Sequence, residues 1–157
     1  MRIGIGFDLH IFEKGRKLIL AGIDIPYHSG LKGHSDGDVV LHAISDAIAG
    51  ALAIEDIGSE FPDTDASLKG ISSNIILEHY RKKIDFHHGK ILNIDIVLIA
   101  EKPLLKPWYN RMRENIAIIL KIQTSQVGIK AKTMEGLGEI GKGNSIACFA
   151  SILIDLI

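Results

Sequence analysis

The sequence predicts an α+β domain, a mixed β-sheet with its helices packed on one face. Apolar, β-branched runs at 2–8, 91–100, 127–133 and 145–156 read as strands. Apolar residues recur at helical spacing in 38–53, in 72–84 and after Pro107. At 157 residues, with no linker composition, repeat or low-complexity segment, the chain fits one domain around one core.

Taken in order, Arg2 to Asp8 is a strand, and Lys17 to Ile25 is two short strands bent at Ala21-Gly22 and ended by Pro26. Tyr27 to Gly33 is a loop. Asp36 and Asp38 are N-cap candidates for the first helix, which runs from about Asp38 to Ala53 with Val40, Ile44, Ala47, Ile48 and Ala51 on one stripe. Residues 55–70 form a long acidic loop, of a length that is more often functional than merely connecting. A second helix spans Ser72 to Ile84, and Ile91 to Ala100 is a strand buried on both faces. Pro107 suits the first turn of a third helix carrying Trp108, Met112, Ile116 and Ile119. Val127 to Thr133 and Ser145 to Leu156 complete the sheet. The loop between them holds Gly136, Gly138, Gly141 and Gly143, which let backbone approach a phosphate or simply make a flexible hairpin.

Composition narrows the function. The 18 basic and 19 acidic residues nearly cancel, which argues against a general nucleic-acid or membrane-surface binder. The longest apolar run, Ile146 to Ile154, is too short to span a bilayer, and Met1-Arg2-Ile3-Gly4 lacks the apolar stretch of a signal peptide. Cys148 is the single cysteine, so no internal disulfide is possible and a reducing, cytoplasmic setting is expected. A 46% apolar content exceeds what a small monomer needs and points to subunit contacts.

The chemistry gathers in two motifs. In Gly6-Phe7-Asp8-Leu9-His10, residues i and i+2 of a strand share a face, so Asp8 and His10 point the same way. In His34-Ser35-Asp36-Gly37-Asp38-Val39-Val40-Leu41-His42, Asp38 and His42 lie four apart in the first turn of a helix. One carboxylate and two imidazoles, Asp8, His10 and His42, with a fourth position left open, describe a catalytic zinc site better than a structural one. His79, His87 and His88 lie in a polar, lysine-rich stretch and read as surface rather than as a second metal centre. Lys132, Thr133 and Glu135 offer a cation, a hydroxyl donor and a carboxylate for a second metal beside the glycine-rich loop.

These blocks resemble the 2-C-methyl-D-erythritol 2,4-cyclodiphosphate synthases. The match continues through Asp56-Ile57-Gly58, Phe61-Pro62-Asp63-Thr64-Asp65 and Lys130-Ala131-Lys132-Thr133-Met134-Glu135, in family order over almost the whole chain. The resemblance implies a homotrimer with active sites between subunits. It implies zinc on Asp8, His10 and His42, and magnesium or manganese near Glu135. His34 and Thr133 would stabilise developing phosphate charge, and Ser35 would orient phosphate. Asp56, Ile57, Gly58, Phe61, Pro62, Asp63, Thr64 and Asp65 would cover the methylerythritol and ribose end of a small cytidine diphosphate substrate. Ala100, Leu104, Leu105 and Lys106 would wrap the cytosine, and Lys132, Met134, Glu135 and Lys142 would complete the substrate contacts. Where the family commonly has a lysine, this chain has Leu104. Where it has an aromatic, an arginine and a glutamate around a central trimer cavity, this chain has Glu139, Lys142 and Asn144. A lysine is a point charge and cannot reproduce an arginine fork on an isoprenoid diphosphate there. Two rival functions use the same residues: a metal-dependent phosphohydrolase, and a non-enzymatic nucleotide or isoprenoid-phosphate binding trimer. An open zinc position speaks against the second.

Overall fold

The computed structural model describes residues 1–156. A long strand, β1 (Arg2–Lys14), is followed by a hairpin of β2 (Leu18–Leu20) and β3 (Ile23–Ile25), then β4 (Ser29–Leu31) and helix α1 (Val39–Leu52). Next come the short α2 (Ile57–Glu60), α3 (Ser73–Phe86), β5 (Gly89–Ile99), α4 (Tyr109–Leu120), β6 (Val127–Lys132), the short α5 (Gly138–Gly141) and β7 (Ser145–Leu156). The main sheet has the order β4-β1-β7-β5-β6. All its pairs are antiparallel except β5 with β6, which α4 joins as a parallel crossover. The sheet is therefore mixed, as expected.

Several elements differ from the sequence reading. β1 continues six residues past Asp8, because its far end pairs with β4, a strand inside the expected 27–33 loop. The acidic 55–70 segment holds α2 and a 3₁₀ turn at Ala66–Leu68, each capped by an aspartate, Asp56 and Asp65. Lys106–Trp108 is a 3₁₀ turn, so the regular third helix starts only at Tyr109. The glycine-rich segment carries α5 rather than a bare hairpin loop. β5 is not buried on both faces. Ile94, Ile96 and Leu98 are buried, whereas the opposite face carries Asp95, ion-paired with Lys130 of β6.

The core lies between one face of the sheet and the helices, with α1 against β1 and β7. β1 is read differently on its two sides. Its inward positions begin with Gly4 and Gly6, where an added Cβ would lie 1.8 Å from the Ala47 oxygen and 1.9 Å from the Ala43 oxygen. Only glycine lets the α1 backbone come down so closely on the strand. The outward positions Ile3, Ile5, Phe7, Leu9 and Ile11 are 42–70% exposed, and Phe7 stacks on Phe149 of β7 at a ring separation of 4.6 Å. Among the described residues, no helix is long and apolar enough to cross a membrane.

Candidate active site

The glycines that seat α1 also bring the motifs together. The next inward positions on β1 after Gly4 and Gly6 are Asp8 and His10, and α1 lays His42 over them. Asp8 Oδ2 is 3.0 Å from His10 Nε2 and 2.9 Å from His42 Nδ1, and the two nitrogens are 3.3 Å apart. A tetrahedral ion bonded at 2.0–2.1 Å needs donor–donor edges of about 3.3 Å. The triangle is nearly that size, so the donor set fits a zinc-like ion with a fourth position free. Burial opposes ionisation of Asp8, but its bonds to His10 and His42 outweigh this and hold the carboxyl well below the usual range. Burial likewise opposes a charge on His42, and the Asp8 carboxylate overrides it, so His42 is shifted upward. The cluster attracts positive charge. Among the described residues it is the only group of three or more histidine, cysteine or acidic side chains with donors close enough for one ion.

His42 is oriented from behind. Ser73 Oγ, at the start of α3, hydrogen-bonds the Asp36 carboxylate and lies 2.9 Å from His42 Nε2. Its O–H donates to Asp36 and its oxygen accepts from Nε2–H, which turns the Nδ1 edge of the ring toward Asp8. Asp36 Oδ2 also accepts the Ser73 N–H at 2.9 Å, and Ser35 Oγ is 3.1 Å from His42 Nε2. Sequence reasoning missed Ser73, whose only local signal is its place beside a helix start. Asp38 takes no part in the triangle. Fully buried, it accepts N–H bonds from Ala21, Gly22, Val40 and Leu41, and burial pushes its carboxyl up to about 6. It caps α1 and fixes the β2–β3 turn.

The cluster lies in a cavity of about 620 Å³ lined also by His34, Ser35, Ile57, Gly58, Phe61 and Asp63. Asp46, one turn along α1 from His42, accepts the Ile57 N–H at 3.1 Å and ties α2 to the rim. Asp56, Pro62, Thr64 and Asp65 belong to the same rim but do not line the cavity. Asp56 Oδ1 is occupied by the Ser59 N–H at 2.9 Å, and the Asp65 carbonyl lies 3.2 Å from His34 Nε2.

The other predicted residues form a second, smaller cavity of about 230 Å³, with Ala100, Leu104, Leu105, Lys106, Lys132 and Thr133 in its walls. Glu101, which sequence reasoning passed over, binds the two segments together by accepting N–H bonds from Met134 (2.7 Å) and Gly136 (3.4 Å). Thr133 Oγ1 donates to Glu135 Oε1 at 2.7 Å, while Lys142 and Asn144 both bond Glu139, at 2.7 and 2.8 Å. Met134, Glu135 and Lys142 lie outside both cavities. The two groups are far apart within one chain. Asp8 pairs with Cys148, Cys148 with Leu98 and Leu98 with Ala131, so three strand spacings, about 14 Å, separate the metal row from β6.

Fold and site together define an α+β protein built around an open cluster of three donors that could hold a metal ion, beside a polar cavity. The chain belongs to the YgbB family, whose model matches residues 1–155. A relative from Chloroherpeton thalassium, 2-C-methyl-D-erythritol 2,4-cyclodiphosphate synthase, is 50% identical over 157 residues, 100% of both chains. The solved bifunctional IspDF of Campylobacter jejuni superposes with a TM-score of 0.95 at 39% identity. That match covers 99% of this chain but 42% of the bifunctional one, so this chain spans less than half of that protein. The Plasmodium falciparum IspF, solved as a CDP complex, gives a TM-score of 0.87 at 37% identity, over 99% of this chain and 96% of that one.

Proposed function

We propose that this chain cyclises 4-diphosphocytidyl-2-C-methyl-D-erythritol 2-phosphate to 2-C-methyl-D-erythritol 2,4-cyclodiphosphate, releasing CMP, in non-mevalonate isoprenoid synthesis. The observation that carries this reading is the Asp8–His10–His42 triangle opening into a cavity that also holds His34 and Ser35. Zinc on that triangle, and magnesium or manganese at Glu135, supply Lewis-acid charge to the diphosphate when bound. A 2-phosphate oxygen attacks the β-phosphorus, the bond from that phosphorus to the CMP oxygen breaks, and CMP leaves as an anion. Both reactants are anionic, so the protein's task is alignment and charge compensation. His34 donates to a phosphate oxygen as charge develops, the Thr133 hydroxyl turns from Glu135 to donate to another, Ser35 orients the phosphate, and Lys132 adds a cation. The 56–65 rim receives the methylerythritol end, and the backbone of 100–106 holds the cytosine. No protein nucleophile is needed. A cytoplasmic location belongs to the same reading, and the free, buried Cys148 fits a reducing compartment.

Incubation with the substrate in ¹⁸O-water, read by mass spectrometry, tests the reaction. CMP and an unlabelled cyclic diphosphate are expected. An open-chain product carrying ¹⁸O would instead identify a phosphohydrolase, and binding without turnover would identify a nucleotide-binding module.

The same reading makes the active site a product of two subunits in a homotrimer. The exposed apolar face of β1 supports the association, and the distance between the two cavities supports the sharing. Mixing chains tests it. Asp8→Ala keeps the nucleotide half, Thr133→Val keeps the metal half, and every mixed ring of three has one interface where both intact halves meet. With random assortment about three quarters of the rings are mixed, so co-refolded mutants regain about a quarter of wild-type activity. Activity equal to the average of the two parents would refute a shared site.

A further inference from the structure

Arg16 has no counterpart among the residues assigned above, yet it lines the metal cavity beside His10, His34 and Ser35. Its guanidinium is a fork on the backbone: Nη1 donates to the Gly33 carbonyl at 2.9 Å and Nη2 to the Ser35 carbonyl at 2.6 Å. Those two carbonyls flank His34. A donor pair that grips residues on either side of a third sets the peptide orientation of the one between. The Arg16 end is fixed as well. β4 crosses so closely that a Cβ on Gly30 would lie 2.8 Å from the Arg16 carbonyl carbon. The side chain is 29% exposed, and its other charged neighbour, Glu13, stands 3.7 Å away, so the two carbonyls are its short contacts.

We infer that Arg16 is a positioning residue for His34, holding the 33–35 backbone so that the imidazole meets the substrate phosphate in the orientation the reaction requires. This rests on the phosphate role given to His34 above. Ser35 ties the arrangement to the metal side, because its hydroxyl lies 3.1 Å from His42 Nε2 while its carbonyl is held by Arg16. A lysine at position 16 would keep a charge but grip only one carbonyl.

Arg16→Lys and Arg16→Ala are compared with wild type for kcat, KM, metal content and the His34 imidazole resonances. Expected are kcat losses of about tenfold to a hundredfold in both, the scale for a displaced catalytic group, with KM within about threefold and metal content unchanged. The His34 resonances shift in both variants, and millimolar guanidinium restores part of the kcat of Arg16→Ala. In a His34→Ala background, adding Arg16→Ala costs less than about twofold, since its partner is already gone. Equal losses in both backgrounds, loss of metal, or wild-type kinetics in Arg16→Lys would overturn the inference. Should Arg16→Ala not fold, Arg16→Lys and its cycle with His34→Ala decide the matter. A wild-type protein that makes no cyclic product in the same assay would refute the proposed reaction instead, and unmoved His34 resonances would still count against Arg16.

Discussion

Asp8→Ala yields a folded protein without bound zinc and with about a thousandth of wild-type turnover or less. Asp8 Oδ2 stands 3.0 and 2.9 Å from the two histidine donors, and it is the anionic member of the group. Its removal leaves two imidazoles and no carboxylate, too few donors to hold the ion against competition from solvent. Losing about 4 kcal/mol of Lewis-acid stabilisation amounts to about a thousandfold in rate. The fold survives because the side chain is partly exposed and carries no packing role comparable to its neighbours in the core. Elemental analysis of the purified variant, with circular dichroism as the check on folding, decides it. Full zinc occupancy would remove Asp8 from the metal site.

Gly6→Ala adds a single methyl group and costs about 3 kcal/mol or more, at the upper end for an overpacked site. The new Cβ would sit 1.9 Å from the Ala43 oxygen and 2.7 Å from the Ala47 nitrogen, both backbone atoms of α1. No side chain can rotate away to make room, so the helix itself must lift. His42 rides on that helix, and the variant should also bind zinc more weakly than wild type. Gly50→Ala is the control on the same helix. Its added Cβ meets nothing closer than 3.8 Å, and it should gain up to about 1 kcal/mol from better helix propensity. Urea unfolding of both variants, with zinc titration of each, checks the contrast. A Gly6→Ala protein as stable as wild type would mean that α1 does not depend on this close approach.

The grouping of Asp8, His10 and His42 was legible because its geometry is local. Asp8 and His10 share a strand face by period two, and His42 follows a recognisable helix start, so each half of the triangle follows from spacing. What brings the halves together is not local. The strand–helix contact depends on Gly4 and Gly6, and in sequence these look like ordinary weak points of a strand. The supports behind the site were hidden for the same reason. Ser73 meets His42, Glu101 meets Met134 and Arg16 meets Ser35 across 31, 33 and 19 residues, through contacts that no periodicity reports. β4 escaped notice because three residues are too few to show alternation, and β5 looked buried on both faces because its apolar run takes no account of which side receives helices.

β1 carries opposite demands on alternate residues, and this makes its alignment self-checking. A slip of one position would turn every side chain to the other face. Asp8 and His10 would swing away from α1, and isoleucines would be driven against helix carbonyls where not even a methyl group fits. The misaligned chain could not close its core, so there is no half-working version of this strand. A single-residue insertion or deletion between Arg2 and His10 is therefore expected to abolish the fold and the Asp8–His10–His42 cluster in one stroke.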